Sequence, residues 1–535
     1  MPGPRQYSSD GYIAETCLPN LAVARRFEES ISDVNMWTKV VVAVCLLGLA
    51  HSAFESNDQW RRQARADLER AKNVKQITSL AKNVVLMIGD GMGLPTVTAG
   101  RIYTGQKKGQ TGEEYKFTFE QFPNVALSKT YNLDRQVPDS AGTASAIMTG
   151  VKVNLGTLGV DGSVPYGENC TEYRKDRHLK TILDYALEAG KSVGVVTTTR
   201  ITHATPGSTY AHTPWRDWES DTDMKGIQGC EHLKDIAYQL VMDNPNINVL
   251  LGGGRRSFIN NTTPDPGTKK ISSNQRTDGL DLREAWKAEK RSRGVAHAYV
   301  ENKAQFDAVD PLKTDYLFGL FTSSHMTYEL ERNPTEEPSL TEMVDKAIRI
   351  LRKNPKGYFL LIEGGRIDHA HHDNYGKRAL EETYELDNAV KKVGQMVSIQ
   401  DTLTIVTADH SHAFGIAGYP TRGNNILSVV DDILKGEDPY DNLPYLTLNY
   451  FNGPAYGRTD LTNVDTKDNN FQQPGCVGMP YAAHGGEDVA IYAQGPMSHL
   501  FHTTHEQNYI GHVMMYASCI GEYKSSCDLK SRKRR

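Results

Sequence analysis

The chain of 535 residues lacks a strong excess of either charge: 60 basic against 65 acidic residues leave a formal net charge of −5. No basic stripe with interleaved aromatics is present, so nothing in it carries the electrostatic footprint of a nucleic-acid binder. Long apolar runs are missing as well. The run after Met36, residues 40–50, holds only eleven apolar residues, too few to span a bilayer comfortably. No internal repeat occurs, which argues against a solenoid or propeller. Cysteine is sparse, at seven residues. The last eight residues, after Cys527, include five Lys or Arg and offer no apolar tail to exchange for a lipid anchor.

What is present begins with that short run. "MWTKVVVAVCLLGLAHSAFES" has one Lys, an apolar stretch and a small-residue site ending at Ala53, the layout of a secretory signal over 36–53. Residues 1–35 are polar and unpatterned and read as an upstream extension, with Met36 as initiator. Secretion would remove Cys17 and Cys45 and leave five cysteines. Two disulfides and one spare thiol are then expected, spacing favouring Cys519 with Cys527 and Cys170 with Cys230, and Cys476 unexplained. Asn169, Asn260 and Asn261 each open an N-x-T sequon. The expectation is a secreted, glycosylated, extracellular product, with 528–535 a basic tail.

A polar helix is expected over about 58–82. Short apolar runs then alternate with amphipathic segments: 84–88, 193–196, 247–251, 358–362, 403–406 and 488–493. That alternation predicts an α/β fold, a large and mostly parallel central sheet with helices on both faces. Residues 418–482 are rich in Gly, Pro, Asn, Asp and Tyr and read as an inserted, loop-rich subdomain.

In such a sheet, ligands bind beyond the carboxyl ends of the strands. Asp90 follows the first run within "GDGMG". Glu363, Asp368 and His372 follow "YFLLI" in "IEGGRIDHAHHDN", with Asp368 and His372 four apart, on one face of a helical turn. Asp409 and His410 follow "LTIV"; His203 and Thr205 follow "VGVV"; His484 precedes the run at 488. Each alone reads as a turn former or surface residue. Converging at one edge, mixed Asp and His suit zinc, and an all-oxygen set suits magnesium. "VPDSAGTASA" places Ser140 where a helix could start. An N-cap is the commoner role for such a serine. No G-x-S-x-G elbow surrounds it and no histidine is near in sequence. A nucleophilic Ser140 would therefore need a metal to activate it.

"NVVLMIGDGMG", "VPDSAGTASA", "TTTRITHATPGSTYAH", "EGGRIDHAHHDN", "TADHSHAFGIAGYPTRG" and "HGGEDVAIYAQGP" together resemble the successive motifs of alkaline phosphatases of the animal type, in order, over about 60–527. The resemblance implies an alkaline-phosphatase-like domain over 54–527, a crown-like insertion at 418–482, and hydrolysis of phosphate monoesters through a phosphoserine with an alkaline optimum. It implies two zinc ions and one magnesium. Asp368, His372 and His484 would hold one zinc, Asp90, Asp409 and His410 the other, and Asp90, Thr205 and Glu363 the magnesium. Ser140 would be phosphorylated, and Arg216 would fork onto phosphate with Asp139 positioning it. His203 and His369 follow the animal pattern. A homodimer is implied, with the helix from about Asp58 as an exchanged arm. A fourth, calcium-type site is expected to be weak or absent, because Thr322 stands where an acid is usual and Gly267 near where another is expected, leaving Glu337. The rivals are a sulfatase, a related phosphodiesterase, or a catalytically inactive surface receptor or adhesion protein on the same fold.

Overall fold

The computed structural model describes residues 56–167, 170, 173–230 and 232–525. The signal segment, Asn169 and Cys527 lie outside the described residues. One unit ends at Val74. Its helix, Asn57–Lys72, is capped by Ser56, whose side chain accepts from the Gln59 N–H. The helix stops ten residues before the expected end, and β-branched residues follow at Val74, Ile77 and Thr78.

Among the described residues, the second unit holds fifteen short strands: β1 Asn83–Gly89, β2 Asn124–Lys129, β3 Ser192–Arg200, β4 Val249–Gly253, β5 His297–Val300, β6 Tyr316–Leu320, β7 Tyr358–Gly364, β8 Thr402–Ala408, β9 Ser411–His412, β10 Phe414–Ile416, β11 Leu448–Gly453, β12 Gly475–Gly478, β13 His484–Gly485, β14 Val489–Gln494 and β15 Thr504–Glu506. Ten form one sheet in the order β15-β2-β14-β8-β1-β7-β3-β4-β6-β5. The run from β8 to β5 is parallel; β14 runs against both β8 and β2. Every residue of β1, β7 and β8 is buried. These strands are covered on both faces, which is why they read as unbroken apolar runs.

Side chains alternate across the sheet. Val84, Leu86 and Ile88 enter one core with Ile147, Leu183 and Ile510 from helices on that face. Val85 and Met87 enter the other, with Val344 and Leu386. The segment 418–482 supplies β11 and β12, which join β10 in a separate three-stranded sheet. Among the described residues, no helix is long and apolar enough to cross a membrane.

Register positions the chemistry. Gly89 pairs with Gly364 on one side and Ala408 on the other, so three central strands end at one level. The residues that follow, Asp90, the 366–372 helix and Asp409, leave the sheet together.

Candidate active site

The turn after β1 is tight because it must be: Gly91 has φ +67°, and a Cβ there would meet the His412 ring at 2.6 Å. Asp90, Asp409 and His410 converge behind it, all fully buried. His410 Nδ1 faces the Ser411 carbonyl at 3.0 Å. A carbonyl only accepts, so Nδ1 carries the proton and Nε2 keeps its lone pair. That Nε2 lies 3.4 Å from Asp90 Oδ1, 3.3 Å from Asp409 Oδ2 and 3.1 Å from Ser140 Oγ.

A second group joins Asp368, His372, His412 and His484. His372 Nδ1 donates to the Ala482 carbonyl and His484 Nδ1 to the Pro138 carbonyl, both at 2.7 Å. Their Nε2 lone pairs consequently face each other at 3.2 Å, with Asp368 Oδ2 3.3 Å from the first and Oδ1 3.4 Å from the second. Two lone pairs and a carboxylate aimed at one point fit a cation and little else. His412 was not among the expected ligands. It sits on β9 opposite His484 on β13, and its Nε2 bonds Asp368 Oδ1 at 2.5 Å, orienting the carboxylate.

A third group adds Glu363 and His203 to Asp90. Asp90 Oδ2, Glu363 Oε1 and Thr205 Oγ1, the oxygen set expected for magnesium, are all buried with no hydrogen-bond partner. Orphaned buried oxygens are rare, and an ion explains three together. Electrostatics agree. Burial, then Asp409, Asp368 and Glu363, pushes Asp90 well above the carboxylate range. Burial pushes Glu363 up to about 7. Burial also raises Asp368, but His372 and His412 outweigh it and hold that carboxyl well below its usual range. Four carboxylates this close in a buried site call for compensating cations.

Ser140 is the first residue of the helix Ser140–Thr149, and the cap is Asp139, which accepts from Ala141 N at 3.2 Å and Gly142 N at 3.1 Å. Ser140 Oγ is thus free of capping and also lies 3.3 Å from Asp90 Oδ1. Asp139 Oδ2 accepts from Arg216 Nη1 at 3.0 Å, and Arg216 Nη2 donates to His203 Nε2 at 3.1 Å. Burial opposes the Asp139 charge, but Arg216 and the Gly156 and Gly142 amides keep its carboxyl below the ordinary value. A pocket of about 560 Å³ opens over Ser140, Arg216, His203, His369, His372 and His484.

Cys170 and Cys230 form a disulfide closing a 60-residue separation. Cys519 is disulfide-bonded, and Cys476 is free and exposed. Asn261 is exposed, while Asn260 is half-buried and accepts from Thr262. Thr322, Gly267 and Glu337 line one cavity, but Glu337 takes both Thr327 donors, and a Cβ at 267 would meet Arg255 Nη2 at 2.5 Å.

The sequence model of the alkaline phosphatase family matches residues 81–520. The chain is similar to the tissue-nonspecific isozyme of alkaline phosphatase from Rattus norvegicus, 48% identical over 480 residues, 88% of this chain and 90% of that one. It is 46% identical to the Homo sapiens tissue-nonspecific isozyme over the same shares, and 45% identical to the Gadus morhua alkaline phosphatase over 86% of this chain and 97% of that one. In fold it resembles Thermus thermophilus alkaline phosphatase, with TM-score 0.59 and 22% identity over 84% of this chain and 93% of that one. It likewise resembles the enzyme of the Antarctic bacterium TAB5, with TM-score 0.56 and 21% identity over 83% and 100%. The chain therefore belongs to the alkaline phosphatase family and is a metal-dependent hydrolase of phosphate monoesters.

Proposed function

We propose that Ser140 is the nucleophile of this hydrolase and Arg216 its phosphate clamp. The observation that carries the reading is the place of Ser140 Oγ, uncapped at a helix start and within 3.3 Å of Asp90 Oδ1 and 3.1 Å of His410 Nε2. Asp90, Asp409 and His410 would hold one zinc, and Asp368, His372 and His484 a second. Asp90, Thr205 and Glu363 would hold magnesium. Bound there, the zinc ions supply Lewis acidity, lowering the pKa of a hydroxyl and offsetting charge on a transferring phosphoryl group. No step needs calcium.

Ser140 gives up its proton and its Oγ bonds to phosphorus. The ester P–O bond breaks and the leaving oxygen takes up a proton. Water then displaces phosphate from the phosphoserine and restores the hydroxyl. Arg216 forks onto two phosphoryl oxygens, a planar and charge-assisted contact that Lys cannot reproduce. Asp139 holds that guanidinium while capping the nucleophile's own helix, so clamp and nucleophile share one anchor. An alkaline optimum fits a serine that must lose a proton. The Cys170–Cys230 disulfide supports maturation in the secretory pathway and an extracellular site of action.

Labelled phosphate monoester tests the assignment. Wild type is expected to trap label on Ser140, and Ser140→Ala to trap none while kcat falls by about 10³ or more. Metal content should stay near normal. Label trapped at wild-type level in Ser140→Ala would overturn the nucleophile.

A further inference from the structure

We propose that His325 is a positioning residue for the phosphate clamp, holding His203 so that it in turn aims Arg216. The inference rests on Arg216 acting as proposed above. His325 lies beyond β6 in the loop "TSSHM". Its ring stands edge-on to two others, with centroids 5.2 Å from His203 at 82° and 4.1 Å from His369 at 61°. His203 and His369 meet in the same way, 5.2 Å apart at 74°. Of the convergent groups of potential metal ligands among the described residues, this trio alone has no carboxylate.

Arginines decide what the trio is. A guanidinium can only donate. Arg216 Nη2 donates to His203 Nε2 at 3.1 Å and Arg366 Nη1 to His369 Nδ1 at 2.9 Å. The backbone N–H of Arg200 donates to His325 Nδ1 at 3.2 Å, and its guanidinium lies against Nε2. One lone pair of each ring is thereby taken, and three cationic side chains surround the rings, a setting that repels a further cation. The trio serves as a bearing.

The bearing is closed on itself. Arg200 is fixed by Glu219, with Nε at 2.8 Å from Oε2 and Nη2 at 2.5 Å from Oε1. Glu219 stands three residues from Arg216, and Arg200 three from His203. The chain of contacts Glu219–Arg200–His325–His203–Arg216 therefore ties two segments in a ring, and His325 is the one member from outside them. Without its edge, His203 can tilt, and the Arg216 fork loses its aim at two phosphoryl oxygens.

Metal-loaded enzyme carrying His325→Ala, His325→Phe or His325→Gln tests this. His325→Ala is expected to raise KM and the inhibition constant of inorganic phosphate by about tenfold, with kcat changed far less. His325→Phe keeps the edge-on ring and should recover most of the affinity. His325→Gln keeps an acceptor for Arg200 without the ring and should behave as Ala. Zinc and magnesium content should be unchanged in all three. If Ala fails to fold, Phe near wild type with Gln weak still supports the bearing, and the reverse order overturns it. Unchanged phosphate inhibition in folded His325→Ala overturns it too, as does loss of one metal equivalent, which would make the trio a metal site. Wild-type label on Ser140 alongside a silent His325→Ala would sink this inference alone; absence of that label would sink the nucleophile reading instead.

Discussion

Glu382 lies buried on the helix Gly376–Met396, and its Oε1 accepts from the Glu329 N–H at 2.6 Å. Burial pushes its carboxyl up to about 8, against the pull of that amide and of Arg366. The folded protein thus keeps a proton that the unfolded chain releases near its ordinary value of 4.5. The stabilisation this brings is complete below that value and is lost as pH rises towards about 8. Glu382→Gln, which is neutral throughout, should gain on wild type as pH rises, by roughly 1 kcal/mol or more at pH 9. Melting curves from pH 5 to 9 that stay parallel would show Glu382 to be ionised in the fold without penalty. Other single residues show what a sequence hides. Asp139 and Ser140 are adjacent cap formers, and only the helix start tells which one caps and which is free to react. His412 looked like half of a surface "HSH", because strand alternation cannot show that both sides of β9 are covered. His325 had no signal at all: one histidine in a short polar loop acquires meaning only from the rings beside it.

Elements were more legible where they were buried on both sides. Runs at 84–88, 358–362 and 403–406 became β1, β7 and β8 with one or two residues added at one or both ends. β2 was hidden because it is half-exposed and reads "NVALSK", without a continuous apolar signal. β6 was hidden by Gly319, a poor strand former placed there because a Cβ would meet Leu251 at 2.7 Å. The same close fit governs the helix Ser140–Thr149. All ten of its residues are buried, and a Cβ at Gly142 would meet Asn132 Nδ2 at 2.2 Å. Asn132 also accepts from the Asp139 N–H at 3.0 Å, so that clash acts on the cap itself. Gly142→Ala should shift the first turn and carry Ser140 off its alignment, lowering kcat by about 10² while the protein stays folded. Near-normal turnover in Gly142→Ala would mean that Asn132 yields and the helix does not move.

Over the whole molecule, β1, β3, β7 and β8 deliver polar residues to one edge of the sheet, and the edge is charged beyond what a fold alone tolerates. Asp90, Glu363, Asp368 and Asp409 are each at most 2% exposed. The facing Nε2 atoms of His372 and His484 add lone pairs to the same volume. Local motifs made this convergence readable, because each ligand follows or precedes an apolar run. The geometry that joins the runs was not readable, since it depends on strand order, and β8-β1-β7 are far apart in sequence. The fold is therefore expected to be held open to its metals and weakened by their loss. Metals that bind only the folded state raise its stability by mass action. Without them, the protein can relieve repulsion only by taking up protons, which burial promotes by raising Asp90 and pushing Glu363 up to about 7. At Glu363 that relief is available at pH 6 and gone at pH 9, while metal binding itself strengthens as ligands lose protons. Stripping with a chelator should accordingly lower Tm by roughly 5 °C or more at pH 9, by clearly less at pH 6, and zinc with magnesium should restore it. A Tm gap of equal size at both pH values, or none, would show that the carboxylate edge is stable on its own and that the ions serve the reaction without supporting the fold.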